Sequence, residues 1–111
     1  MIEQKDLLLV PFPFSDQSGR KVRPVVVISN NIFNSQSDDV IVSGITSNIK
    51  KERYAISLNN EDLESGTLLS NCMIKTENVL RLEKGLIIKK IGKVNQNKLR
   101  EIHAMLDKIL K

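Results

Sequence analysis

Apolar residues fall in short blocks along most of the chain and then change period near its end. Residues 7–10 (LLLV) form the first block, and 25–28 (VVVI) form a continuous β-branched run. Such a run predicts a strand covered on both faces. A third block spans 40–45, and 54–58 (YAISL) alternates as a half-buried strand does. Residues 72–75 with 79–80 suggest a short strand and its exit. Leu86, Ile87, Ile88 and Ile91 favour another strand over 85–93. Then Asn95, a good N-cap, precedes Leu99, Ile102, Leu106, Ile109 and Leu110. Those spacings predict an amphipathic helix packed on the sheet.

Polar segments punctuate these blocks. Pro11 and Pro13 limit pairing after the first strand, so 11–14 should leave the sheet. Residues 15–21 have loop chemistry, with Asp16, Ser18 and Gly19 as turn formers. Pro24 suits the first residues of a strand or an edge. Residues 30–39 read as a polar, turn-rich hairpin loop, which holds Asp38 and Asp39. Residues 59–66 read as an acidic loop with room for one helical turn. Turn signals at short spacing, with no helix between the early strands, predict a mainly β fold. The expectation is a single domain over 1–111, a small antiparallel barrel with an appended C-terminal helix.

One pairing brings chemistry together. If 25–28 and 40–45 form an antiparallel hairpin centred on the loop between them, position 27 faces 42 and position 23 faces 46. Arg23 and Thr46 then stand side by side at one end of the sheet. A guanidinium beside a hydroxyl is a plausible phosphate site.

Length and composition narrow the rest. The chain has 111 residues, 41% hydrophobic and only 4% aromatic, so a modest core of Val, Ile and Leu is expected. The lone Cys72 excludes an intrachain disulfide and reads as a small buried residue in a reducing compartment. The polar start and the lack of a long apolar run predict a soluble, cytoplasmic protein without membrane contact. The net charge of +4 is uneven: 84–100 holds Lys84, Lys89, Lys90, Lys93, Lys98 and Arg100 and no acid. That is either ordinary solvated charge or a face for a polyanion.

Several chemistries lack their parts. There is no CxxC pair, no HExxH motif and no Gly-rich phosphate loop. One histidine, His103, and one cysteine cannot build a zinc site, and His103 is a poor base for a triad from within a helix. The carboxylates are scattered, so neither a metal nor any other cofactor is expected. RNA cleavage suits what remains, because the ribose 2′-hydroxyl can itself attack the neighbouring phosphate. The protein must align that attack and stabilise charge on the phosphorane oxygens. Arginine is suited to the second task but is a poor base, with a reference pKa above ~12. The proton acceptor is the open part of this mechanism.

These residues resemble a known family. The run 7–14 (LLLVPFPF), the loop to Gly19, 22–30 (VRPVVVISN) and 40–47 (VIVSGITS) are similar to the MazF/PemK toxins. So are Asp62-Leu63, Gly66, Lys75-Thr76-Glu77, Leu82-Glu83-Lys84 and Ile91-Gly92-Lys93, in the expected order. The resemblance implies an SH3-like barrel (MazF/CcdB-like) that forms a homodimer. It implies a sequence-specific, metal-independent endoribonuclease that cuts single-stranded RNA, often mRNA, leaving 2′,3′-cyclic phosphate and 5′-hydroxyl ends. It also implies a cognate antitoxin protein that blocks the RNA groove. The family's catalytic arginine and threonine map to Arg23 and Thr46.

The likeness is not uniform. Lys5-Asp6 stands where the family often has Gly-Asp. Lys75-Thr76-Glu77 replaces an Arg-x-Asp pair of some members, and lysine cannot grip phosphate bidentately. The first-loop histidine of some members is missing. Candidate RNA contacts are Phe14, Arg20, Lys21, Ser47, Asn48, Lys75 and Glu77. Phe12 and Phe14 serve either as core plugs or, for one of them, as a base-stacking platform. Arg20 and Lys21 are either solvated loop charges or guides for an RNA backbone. The alternative function is a non-catalytic module on the same barrel, binding RNA or DNA gyrase.

Overall fold

A computed structural model describes residues 1–11 and 21–111. Phe12, Phe14, Arg20 and the turn formers between them lie outside the described residues. Seven strands form one sheet there: β1 (Asp6–Pro11), β2 (Val22–Val27), β3 (Asp39–Thr46), β4 (Ala55–Leu58), β5 (Leu63–Gly66), β6 (Cys72–Glu83) and β7 (Lys89–Val94). Their order across the sheet is β4-β6-β3-β2-β1-β7-β5, and every pairing is antiparallel. Two helices accompany them, α1 (Asn31–Gln36) and α2 (Gln96–Leu110).

The central strands bury both faces, as their β-branched runs require. Leu7 and Val26 point to one core, with Ile45, Ile74, Val94 and Ile102 of α2. Leu8, Val10, Val25 and Val27 point to a second, with Val40, Val42 and Leu82. Leu58 of β4 and Leu63 of β5 belong to the first core, although their strands lie at opposite ends of the sheet order. Both ends therefore curl toward α2. This is the small mainly antiparallel barrel with an appended helix that the sequence predicts.

Local structure departs from the sequence reading in five places. The 30–39 segment holds α1, whose start is capped by the Asn30 side chain accepting from Phe33 N. Only Asn34 of this helix is buried, so its six residues carry too few apolar positions to show a helical period. Asp39 does not sit in a hairpin loop; it opens β3 and meets Arg81 of β6 at 2.6 Å. The acidic stretch makes its single 3-10 turn at Asn60–Asp62 but then continues as β5. Residues 84–86 form a second 3-10 turn, which delays β7 to Lys89.

The fifth departure is β6, one strand of 12 residues where the sequence suggests a short strand and its exit. Ser43 pairs with Val79, but its neighbour Gly44 pairs with Lys75, so three residues of β6 bulge out of register. Thr76 of the bulge turns inward and is buried, donating to Tyr54 O. That break in the alternation is what divides the sequence pattern.

Among the described residues, two charged side chains are buried without any sequence warning. Asp6 is fully buried beneath Lys90 (3.2 Å) and Lys93 (3.7 Å) and accepts from Glu3 N. Lys98 donates to Ser57 O and pairs with Glu101 and Asp62, which ties α2 to β4 and the 3-10 turn. Lys5 has φ 81°, the left-handed region that favours glycine. The family's Gly-Asp thus matches a real backbone demand that Lys5 meets under strain. Among the described residues, no helix is long and apolar enough to cross a membrane.

Candidate active site

Val25 pairs with Gly44, and Gly44 pairs with Lys75, which sets one row across β2, β3 and β6. Side chains two residues apart share a face. Arg23 and Thr46 therefore lie on the same face as this row, one step along. Val27 pairs with Val42, as the hairpin reading expects. Arg23 and Thr46 line one cleft of about 200 Å³, together with Pro24, Val25, Lys75 and Asn78.

Local chemistry prepares each group. The β2–β3 pairing runs from Val25 to Val27, so Pro24 lies beyond it and breaks no ladder bond to β3. Arg23 is half-buried at this end of the sheet. The Thr46 hydroxyl accepts from Asn48 N at 3.1 Å, which leaves its own hydrogen to donate into the cleft. Gly44 has no side chain between these groups, which opens the cleft floor. Lys75 carries a cation to the opposite wall and lies 3.6 Å from Glu52.

A second, larger cleft adjoins the first. It has about 780 Å³, and Arg23 and Pro24 line both. Lys21, Ser47, Lys89 and Lys90 face it, over an apolar floor that includes Val22 and Leu68. Cys72 also reaches its wall, and burial raises its thiol above the ordinary 9.0, so it stays protonated at neutral pH.

The candidate residues divide accordingly. Arg23, Thr46 and Lys75 meet in the small cleft, while Lys21 and Ser47 face the large one. Asn48 is exposed and shapes the turn, its side chain accepting from Lys50 N. Glu77 is exposed on the bulge and lines neither cleft. Phe14 and Arg20 lie outside the described residues. Asn78 is a new lining residue, and only the unforeseen bulge places it there. Lys89 and Lys90 had one signal, the basic stretch 84–100.

Comparison with known proteins follows the same outline. Residues 3–110 match the family described as PemK-like, MazF-like toxin of type II toxin-antitoxin system. The chain belongs to this family. It is 32% identical over 110 residues to the "Endoribonuclease MazF" of Staphylococcus epidermidis, covering 96% of this chain and 89% of that protein. Its fold matches an endoribonuclease in complex with its cognate antitoxin from a mycobacterial species. There the TM-score is 0.80 at 16% identity, over 99% of this chain and 95% of the other. It also matches MazF from Deinococcus radiodurans, with a TM-score of 0.78 at 16% identity, over 98% and 96% of the two chains.

Proposed function

We propose that this MazF-like toxin is an endoribonuclease that cuts single-stranded RNA, mRNA included, at a specific sequence and without a metal ion. The observation that carries the reading is the small cleft, where Arg23, Thr46 and Lys75 face one another. In this reaction the ribose 2′-oxygen bonds to phosphorus as the bond to the 5′-oxygen breaks. The 2′-hydroxyl gives up its proton and the leaving 5′-oxygen gains one. The products are a 2′,3′-cyclic phosphate and a 5′-hydroxyl. Arg23 binds the non-bridging oxygens and stabilises their growing charge, with Thr46 donating a further hydrogen bond. Lys75 adds positive charge from the opposite wall, as a point charge in place of a bidentate grip.

The toxin acts in the cytoplasm, as a homodimer held in check by a cognate antitoxin. The family match supports the antitoxin, and the similar mycobacterial endoribonuclease has one bound. The Lys75 replacement, which falls on the cleft itself, keeps a second reading in view: a barrel that binds RNA or gyrase without cutting. One experiment separates the two. Purified protein is incubated with long single-stranded RNA in EDTA, and the new 5′ ends are mapped and tested for hydroxyl termini. Cutting at a recurring sequence is expected, with Arg23→Ala and Thr46→Ala folded and slowed at least about 100-fold. Intact RNA, or equal toxicity of wild type and Arg23→Ala in growing cells, refutes the nuclease.

A further inference from the structure

An RNA whose scissile phosphate lies at Arg23 must lead its neighbouring nucleotides away along the protein. The large cleft begins at the same residue. Its walls come from the start of β2, the 67–71 loop with Cys72, and β7. Among the described residues four cations line it (Lys21, Arg23, Lys89 and Lys90), and no Asp or Glu does. Lys90 is partly matched by the buried Asp6. Lys21 and Lys89 are exposed, and neither makes an ion pair among the described residues.

The floor differs in chemistry. Val22 and Leu68 present apolar surface, and Leu69 stands fully exposed at the mouth. A ligand that suits this cleft carries negative charge on one side and a flat, weakly polar body on the other. Nucleotides of a single strand fit that description. The strand alternation supplies continuity, because Thr46 lines the small cleft while the next residue, Ser47, lines the large one.

We propose that the large cleft is a substrate subsite, in which Lys21 and Lys89 hold the RNA phosphates flanking the cut and the Val22–Leu68 floor covers a base. This rests on Arg23 and Thr46 holding the scissile phosphate. An acidic, amphipathic peptide is the competing ligand, and Arg23's place in both clefts favours RNA.

The test measures binding without cutting. A random-sequence 2′-O-methyl RNA cannot undergo 2′-hydroxyl attack, and its affinity is followed by fluorescence anisotropy across a range of salt. Each phosphate contact on a single strand contributes about 0.7 to the slope of log affinity against log salt. K21A/K89A should therefore flatten the slope by about 1.4. The control K108A/K111A removes the same charge from the far end of α2 and should leave the slope as it is. Circular dichroism checks that both variants are folded. A slope unchanged in K21A/K89A while wild type still cuts RNA overturns the subsite and leaves the nuclease standing. The reverse result, a flattened slope with no cutting by wild type, keeps the large cleft as an RNA-binding site but refutes the nuclease, and with it the cleft's role as a substrate subsite. Equal flattening in the control, no RNA binding by wild type, or loss of poly-glutamate binding with RNA binding intact each overturns the subsite.

Discussion

Gly66→Ala should destabilise this protein far more than a surface glycine would. Gly66 ends β5 at φ +85° and pairs with Gly92 of β7. An alanine there costs about 1–2 kcal/mol for the left-handed backbone. Its Cβ would also lie 2.3 Å from Ile91 O and 2.4 Å from Gly92 Cα. Both are backbone atoms, so no side chain can swing aside, and β5 and β7 must separate. Overpacking of this kind costs about 1–3 kcal/mol. Reduced freedom of the unfolded chain returns about 0.4–1 kcal/mol. The net loss is about 2–4 kcal/mol, a fall in Tm of about 10–20 °C for a chain of this size.

Thermal melts followed by circular dichroism, with urea titrations for the free energy, measure the loss. Gly66→Asn distinguishes the two causes. Asparagine tolerates the left-handed region but still carries a Cβ. If backbone conformation alone mattered, Gly66→Asn would recover most of the stability. Contact with β7 backbone means that it should not. A Gly66→Ala protein within about 0.5 kcal/mol of wild type, or a Gly66→Asn protein close to it, would refute the reasoning.

Other perturbations probe the site and the periphery. Gly44→Ala places a Cβ 2.7 Å from Asn78 Nδ2, so the side chain must move out of the cleft floor. A double-mutant cycle with Asn78→Ala should show coupling of about 0.5–3 kcal/mol, and simple additivity would refute the contact. Glu3 sits below its ordinary 4.5 because Lys93 donates a hydrogen bond to it and lies nearby as a positive charge. The wild type should be more stable than Glu3→Gln above pH 4.5, and the gap should close as pH falls through Glu3's lowered value. Lys93 is raised above 10.5 by the same hydrogen bond, so the gap should also shrink well above that pH. Iodoacetamide should modify Cys72 more slowly than a free thiol at neutral pH, and its rate should still be climbing above pH 9.0, where that of an ordinary thiol levels off. Fast labelling of the folded protein at neutral pH would contradict its burial.

Strand positions were readable where burial follows the strand period without interruption. Leu7, Leu8, Val25, Val26, Val27, Val40 and Val42 are all buried, and their runs announced it. The helix α2 was legible because Asn95 caps it and Leu99 and Ile102 face the core, although Leu110 is exposed. Arg23 and Thr46 could be brought together in advance because an uninterrupted hairpin register depends only on counting residues. The inserted α1 did not disturb that count, since it lies wholly within the connection.

Counting fails where the backbone leaves its regular period. The bulge in β6 shifts three residues, buries Thr76 and turns Asn78 over Gly44, and no local pattern announces such a shift. Burial of Asp6 and Lys98 depends on partners distant in sequence, Lys90 and Ser57 among them. The large cleft joins the start of β2, the 67–71 loop and β7, which only the closed sheet brings together. The sequence by itself determined the regular central strands, the terminal helix and the Arg23–Thr46 register, because each follows from local periodicity and residue type. The tertiary structure alone decided which charges are buried and which cations share a cleft, because those depend on contacts between segments far apart along the chain.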